Sequence, residues 1–192
     1  MSEGPSPRVV HVRWPETPLV CGDVRLRELT FDDAGAVAAA YGDPEILRWT
    51  ARRTVPHTRE EIVAWIGRRL SDAASGLSLY FAVVDPVDDR LLGGASLGTT
   101  NTQDAATMGY WVVAHERGRG VATTALRLLC RHAEDLGFAR AVLWIRDGNV
   151  ISDAVARRTG FVPYGFDHKV ALVTGEDATP VERYERVLTS AR

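Results

Sequence analysis

Arg117-Gly118-Arg119-Gly120 interleaves two residue types suited to holding an anion. A guanidinium is a fixed fork of donors that matches phosphate, and glycine lets the main chain approach a ligand closely. A helical pattern begins at Val121, so this turn stands where a helix starts. Helix starts carry N–H groups without intrahelical partners and a partial positive charge. The stretch through Ala122 therefore reads as a phosphate site. The competing reading is an ordinary turn that happens to be basic. Two nucleotide motifs fail here. The Walker loop, G-x-x-x-x-G-K-[ST], is absent, and the dinucleotide fingerprint needs a glycine where Thr123 stands. Asp147 does end the following strand, but a dinucleotide domain needs several parallel β-α-β units. Here about 100 residues of hairpin-rich chain come before the turn.

The elements that must position this turn follow from periodicity. Residues 24–29 alternate and predict a strand. Thr30 is placed to cap a helix running to Gly42, with Asp32 and Asp33 in its first turn, and a short helix through Leu47 and Trp49 follows. Thr58 and Glu61 have the spacing of a capping box for a helix whose buried stripe is Ile62, Ile66 and Leu70. Strands at 77–85, 90–98 and 108–113 are separated by short turns and predict an antiparallel meander. Then come a helix from Val121 to Gly137, a strand over 140–146, a helix ending at Gly160, and two final strands. Hairpins followed by alternating strand and helix give an α+β domain with a mixed sheet of six or seven strands flanked by helices. The proline-rich residues 1–22 read as a loose N-terminal arm, and 23–192 as one domain.

Composition narrows the class. The formal net charge is −2, so no global field draws nucleic acid or a membrane to the surface. The only cysteines are Cys21 and Cys130, without a CxxC pair; no metal site is expected, and Cys130 reads as core. The N-terminus lacks an apolar signal region, and no stretch reaches the ~18 apolar residues of a membrane span. The expectation is a soluble, cytoplasmic protein with no membrane partner.

The 117–122 segment resembles the R/Q-x-x-G-x-G/A signature of the GNAT acyltransferases, and it follows a strand ending GYWVV as in that family. Asn149-Val-Ile-Ser152, with Gly160-Phe161 closing the helix, resembles the family's next element. GDPEILRWT and the helix bearing Trp65 resemble the RimJ/RimL-like branch, which acetylates ribosomal-protein N-termini. The resemblance implies the centrally splayed GNAT sheet and acetyl-CoA as cosubstrate. It places the pyrophosphate on backbone N–H groups of Arg117, Gly118, Arg119, Gly120, Val121 and Ala122. The pantetheine arm would lie along Trp111, Val112 and Val113, with a backbone N–H near Val112 or Val113 facing the oxyanion.

The family often supplies an acidic tyrosine seven residues after the asparagine, but this chain has Ala156 there. By resemblance Ser152 takes that role and Asn149 orients the pantetheine; otherwise Ser152 is a first-turn residue bonding only to backbone. Relatives often carry glutamate where Thr107 and Thr124 stand, so no carboxylate base carries over. Asp167, His168, His57 and a water chain remain as routes for the proton. The acceptor would lie among Trp49, Arg53, Tyr110 and Tyr164. Trp49 also reads as a staple between helices, and Arg52 and Arg53 as solvated surface. The implied partner is an amine, either a protein N-terminus or a small molecule, and the chain a monomer or homodimer. A non-catalytic acyl-CoA sensor and a succinyl-type donor stay open. An RNA-contacting module fits the charge poorly.

Overall fold

Alternation of apolar residues builds the first half of the sheet as a run of hairpins. The computed structural model describes residues 10–50, 58–100, 104–167 and 180–188. Its strands are β1 (Leu19–Cys21), β2 (Val24–Glu28), β3 (Ser78–Val84), β4 (Leu91–Thr99), β5 (Ala105–Val112), β6 (Arg140–Arg146), β7 (Val162–Asp167) and β8 (Val181–Val187). They form one sheet in the order β1-β2-β3-β4-β5-β6-β8-β7. The β5–β6 pairing is parallel and the others are antiparallel. One parallel pair among the described strands excludes the dinucleotide architecture.

The eighth strand is β1, which falls in the segment expected to be a loose arm. Residues 10–21 are instead packed. Val12 is 3% exposed, and its N–H donates to the Gly76 carbonyl at 3.2 Å. Trp14 meets Phe81 edge-on with centroids 5.1 Å apart. Prolines had masked this short strand, because they interrupt any period while still permitting an extended edge. His132 lies 2.8 Å from the Arg13 carbonyl through Nε2. Burial holds it below its ordinary 6.5, against the opposing pull of that hydrogen bond. It is a structural histidine.

Helices cover both faces. α1 (Ala34–Tyr41), α2 (Pro44–Trp49) and α3 (Arg59–Ala74) precede β3, and α4 (Val121–Leu136) and α5 (Val150–Arg158) flank β6 in sequence. The α3 capping box forms as expected: Thr58 N–H donates to Glu61 Oε2 at 3.1 Å and Glu61 N–H to Thr58 Oγ1 at 3.2 Å. Gly137, at φ +90°, ends α4 in the left-handed conformation.

Two cores result. The larger lies under α4 and contains Leu126, Leu129 and Cys130 with Phe81, Met108, Leu143 and Tyr184. Burial pushes the Cys130 thiol up to about 12, so it stays a neutral core residue. The smaller core lies under α1 and α3 and centres on Tyr41, Trp65 and Trp111. Trp111 Nε1 donates to Tyr80 Oη at 2.7 Å, and Trp65 stands edge-on to Tyr80 at 4.7 Å. The indole of Trp111 needs a glycine beneath it: a Cβ on Gly94 would fall 2.5 Å from Trp111 Nε1.

That contact is testable by two glycine substitutions. Gly94→Ala should lower stability by about 1–3 kcal/mol through overpacking. Gly67→Ala, within α3 with nothing within 4 Å of the new methyl, should raise it by ~0.5–1 kcal/mol. Urea unfolding of both variants checks the pair, and an unaffected Gly94→Ala would mean that Trp111 is loosely seated.

Candidate active site

The sheet divides at its parallel pair. β5 and β6 are in register from Ala105↔Arg140 to Met108↔Leu143 and no further. Beyond that point β5 stays paired to β4 as far as Val112↔Gly93. β6 likewise stays paired to β8 as far as Arg146↔Val181. A wedge therefore opens between residues 109–112 and 144–146. Backbone groups on its β5 side have no β6 partner there, and such an edge offers unpaired donors and acceptors.

Alternation identifies those groups. Val113 N–H donates to the Leu92 carbonyl at 3.0 Å. Val113 is thus a hydrogen-bonded pair with Leu92, and the N–H and C=O of Tyr110 and Val112 turn to the opposite edge, into the wedge. Of the two oxyanion donors expected, Val113 is already committed within the sheet, and Val112 is the one that faces the opening. The Val112 carbonyl receives Arg117 Nε at 3.3 Å.

The glycine–arginine turn stands beside the wedge. Gly118 and Gly120 have φ of +77° and +82°, and an added Cβ on either meets nothing within 4 Å. Glycine is required here by backbone conformation, and the space above it is open. Gly120 is the N-cap of the sixteen-residue α4 and brings no side-chain acceptor to its free N–H groups. The arginines behave differently from the expectation of free positive charge. Arg117 pairs with Asp43, the N-cap residue of α2. Arg119 meets Glu116 Oε2 at 2.8 Å, and Arg90 holds the other oxygen of that carboxylate. Glu116 is 4% exposed. The unspent donors of the turn therefore lie chiefly in its main chain, with both side chains tied down around it.

α5 closes the wedge from one face. Asn149 caps it, its Oδ1 accepting from Ser152 N–H at 3.1 Å. Ser152 is half-buried. Tyr110 Oη donates to the Ser152 carbonyl at 3.4 Å, from across the opening. Tyr184 Oη, from β8, donates to Asp153 Oδ1 at 2.6 Å and lies 2.8 Å from Glu182 Oε2. The first turn of α5 is thus held from both halves of the sheet. Ala156 is fully buried in the larger core.

Residues 23–162 match the acetyltransferase (GNAT) domain family. The chain belongs to that family. Solved structures share its fold: RimJ of Mycobacterium smegmatis in complex with CoA-disulfide, at 24% identity and TM-score 0.76, covering 85% of this chain and 81% of that one. RimL, an alpha-N-protein acetyltransferase of ribosomal L7/L12, aligns at 20% identity and TM-score 0.77, over 91% of this chain and 100% of its own. MccE, a microcin self immunity acetyltransferase in complex with acetyl-CoA and AMP, aligns at 20% and 0.73, over 87% and 93%. No curated protein sequence matches the chain.

The remaining site expectations divide by sheet face. Trp111 and the α1–α3 helices share one face, whereas Tyr110 packs against the core on the other. Tyr110 is therefore not an acceptor wall on the α1–α3 side; strand alternation separates it from its neighbour Trp111. The Trp111 side chain is 8% exposed and belongs to the core, so only its main chain can meet a ligand. Trp49 is half-buried, and its polar contacts among the described residues are local to α2: its Nε1 donates to Glu45 at 3.0 Å, and Arg48 stacks over it at 4.5 Å. Tyr164 is 66% exposed and lies under Arg183 at 4.8 Å, with Trp144 on the same cation at 5.6 Å. Arg183 and Trp144 extend this surface on the face opposite Tyr184, and sequence reading had missed them. Their alternation within β6 and β8 was the available signal. Arg53, His57 and His168 lie outside the described residues, and so does the side chain of Asp167. Among the described residues, no group of His, Cys, Asp and Glu could hold a metal ion, and no helix is long and apolar enough to cross a membrane.

Glu116 supports the turn electrostatically. Its hydrogen bond from Arg90 leads the influences that hold it below the ordinary 4.5, outweighing burial. A depressed carboxyl contributes stability that is full above the unfolded value and fades as pH falls through the folded one. Glu116→Gln should therefore lower Tm at pH 7. The gap to wild type should close as pH falls below about 4.5. Parallel melts across that range check this, and a gap that persists unchanged at pH 3 would contradict it.

Proposed function

We propose that the chain is an N-acetyltransferase that moves an acetyl group from acetyl-CoA to a primary amine, with a protein N-terminal α-amine as acceptor. The observation that carries this is the wedge itself: a free β5 edge opening directly beside a left-handed glycine turn and a helix start. A diphosphate with an extended polar arm fits that arrangement, because the turn offers clustered N–H donors and the strand edge offers alternating ones. Asp43 and Glu116 hold the two arginines flanking the turn. They shape the cradle without filling the space over Gly118 and Gly120.

Acetyl-CoA supplies the acyl group as a thioester. The residues of this chain provide the environment for its transfer. Val112 N–H is set to stabilise negative charge on the acyl oxygen as the neutral amine attacks. Ser152, on the first turn of α5, is placed to give a hydrogen bond to the departing sulfur. Asn149 holds that turn through its cap and keeps its amide nitrogen for the arm. The amine proton passes to solvent. The acceptor approaches the α1–α3 face, along Tyr164, Arg183 and Trp144. The protein-acceptor reading draws support from the RimJ and RimL relatives, whereas the MccE relative marks the small-molecule alternative.

Gly120→Glu should weaken acetyl-CoA binding by roughly 10- to 100-fold, since it strains the turn and puts a carboxylate at the phosphate. Calorimetry on the folded variant checks this, and unchanged affinity would remove the phosphate assignment. Ser152→Ala should lower kcat on the order of 100-fold with little change in acetyl-CoA affinity. The acceptor is tested with a panel of short peptides bearing free or blocked α-amines, beside polyamines and amino acids, read by mass spectrometry. Turnover confined to free-amine peptides supports the proposal. Turnover of small amines alone would replace the acceptor, and binding without any turnover would leave an acyl-CoA-binding domain.

A further inference from the structure

The two halves of the sheet lose contact with each other at the wedge, yet α5 must be held at a fixed distance from β5 for Ser152 to meet a ligand lying along that strand. α5 follows β6 in the chain, and its Asp153 is tied to Tyr184 of β8. Both belong to the far half. Asn149, which caps the helix, belongs to the same half. Tyr110 crosses from the near half. It stands in the unpaired part of β5, two residues past the last β5–β6 partner, Met108. Its ring packs on the larger core, and its hydroxyl ends on Ser152 at 3.4 Å.

We infer that Tyr110 is a positioning residue for the transfer reaction: its hydroxyl bridges the wedge and sets the first turn of α5 so that Ser152 faces the ligand sulfur. The inference rests on the assignment of Ser152 made above. Tyr110 is a donor to the turn rather than a proton source. Burial pushes its phenol up to about 12, against the smaller opposing effect of a hydrogen bond from the Ser152 side chain, so the proton stays on oxygen at neutral pH. The role suits this chain in particular. With Ala156 where the family often has a tyrosine, Ser152 is the hydroxyl available on that helix face. A serine has a shorter reach than a tyrosine, so the placement of its helix turn matters more. The Tyr110 bond also ties β5 to α5 beyond the last β5–β6 pair.

The test uses the full chain as wild type, Tyr110→Phe, Ser152→Ala and the double variant, each checked for its melting transition. Two readouts are taken. The first is calorimetric affinity for CoA against desulfo-CoA, which lacks the sulfur and needs no acceptor. The second is kcat with the best peptide of the free-amine panel. Wild type should prefer CoA over desulfo-CoA by about three- to tenfold, the size of one hydrogen bond. Tyr110→Phe and Ser152→Ala should each erase most of that preference, and the double variant should lose no more than Ser152→Ala alone. In turnover, Tyr110→Phe should lower kcat by roughly tenfold while KM for acetyl-CoA moves less than twofold. A preference erased by Ser152→Ala but kept by Tyr110→Phe would overturn the inference and leave the Ser152 assignment standing. So would independent, multiplying losses in the double variant. A preference kept by Ser152→Ala would overturn the Ser152 assignment, and the inference with it. Tyr110→Met serves as a second hydroxyl-free variant should Tyr110→Phe melt early; a preference retained in it contradicts the inference equally.

Discussion

β5 and β6 share four residue pairs and then part, and the rest of the molecule is arranged around that failure to pair. Sheet pairing satisfies backbone groups at each step, so a sheet that opens in its middle must replace the lost bonds with something else. On the β5 side the orphaned groups are those of Tyr110 and Val112, and one of them, the Val112 carbonyl, already receives Arg117. The Val112 N–H lies beyond the last β5–β6 pair and has no partner strand on that edge. The opening is thus built by withholding hydrogen bonds from one strand edge, which is what the proposed groove for acetyl-CoA uses.

Such a split needs support from packing. The larger core takes residues from β1 through β6, from β8, and from α4 and α5, so it spans both halves under one continuous apolar layer. The smaller core serves only the N-terminal half, under α1 and α3. Its aromatic members lean on Gly94 and on Tyr80, which seats the Trp111 ring on the α1–α3 face. The ion pairs do finer work. Arg117 ties the glycine turn to the start of α2, and Arg119 ties it to a buried carboxylate. Those pairs are partly exposed, so their worth is more in geometry than in energy.

Much of this was legible in the chain. The Arg-Gly turn, the capping box at Thr58, the meander and the closing glycines are local signals, and local signals survive without knowledge of the fold. What escaped was mostly long-range. Asp43 lies 74 residues from its partner Arg117, and no periodicity links them. The short strand Leu19–Cys21 has three residues and a proline before it, too little for a period to show. The assignment of Tyr110 to the acceptor side is different in kind. Adjacent residues of a strand face opposite ways, so with Trp111 on the α1–α3 face, Tyr110 had to face α4. The strand rule contained that answer. Val113 as an oxyanion donor fell to the same rule, once its bond to Leu92 fixed the phase of the ladder.

Which amides answer to acetyl-CoA is the most direct test of the groove. Amide hydrogen exchange resolved by residue, with and without saturating acetyl-CoA, measures this without an acceptor. Protection should rise at Val112 and across 118–122, while Val113, already bonded to Leu92, should stay as it was. Binding that protects none of these amides, or that protects Val113 and leaves Val112 unchanged, would contradict the groove described here.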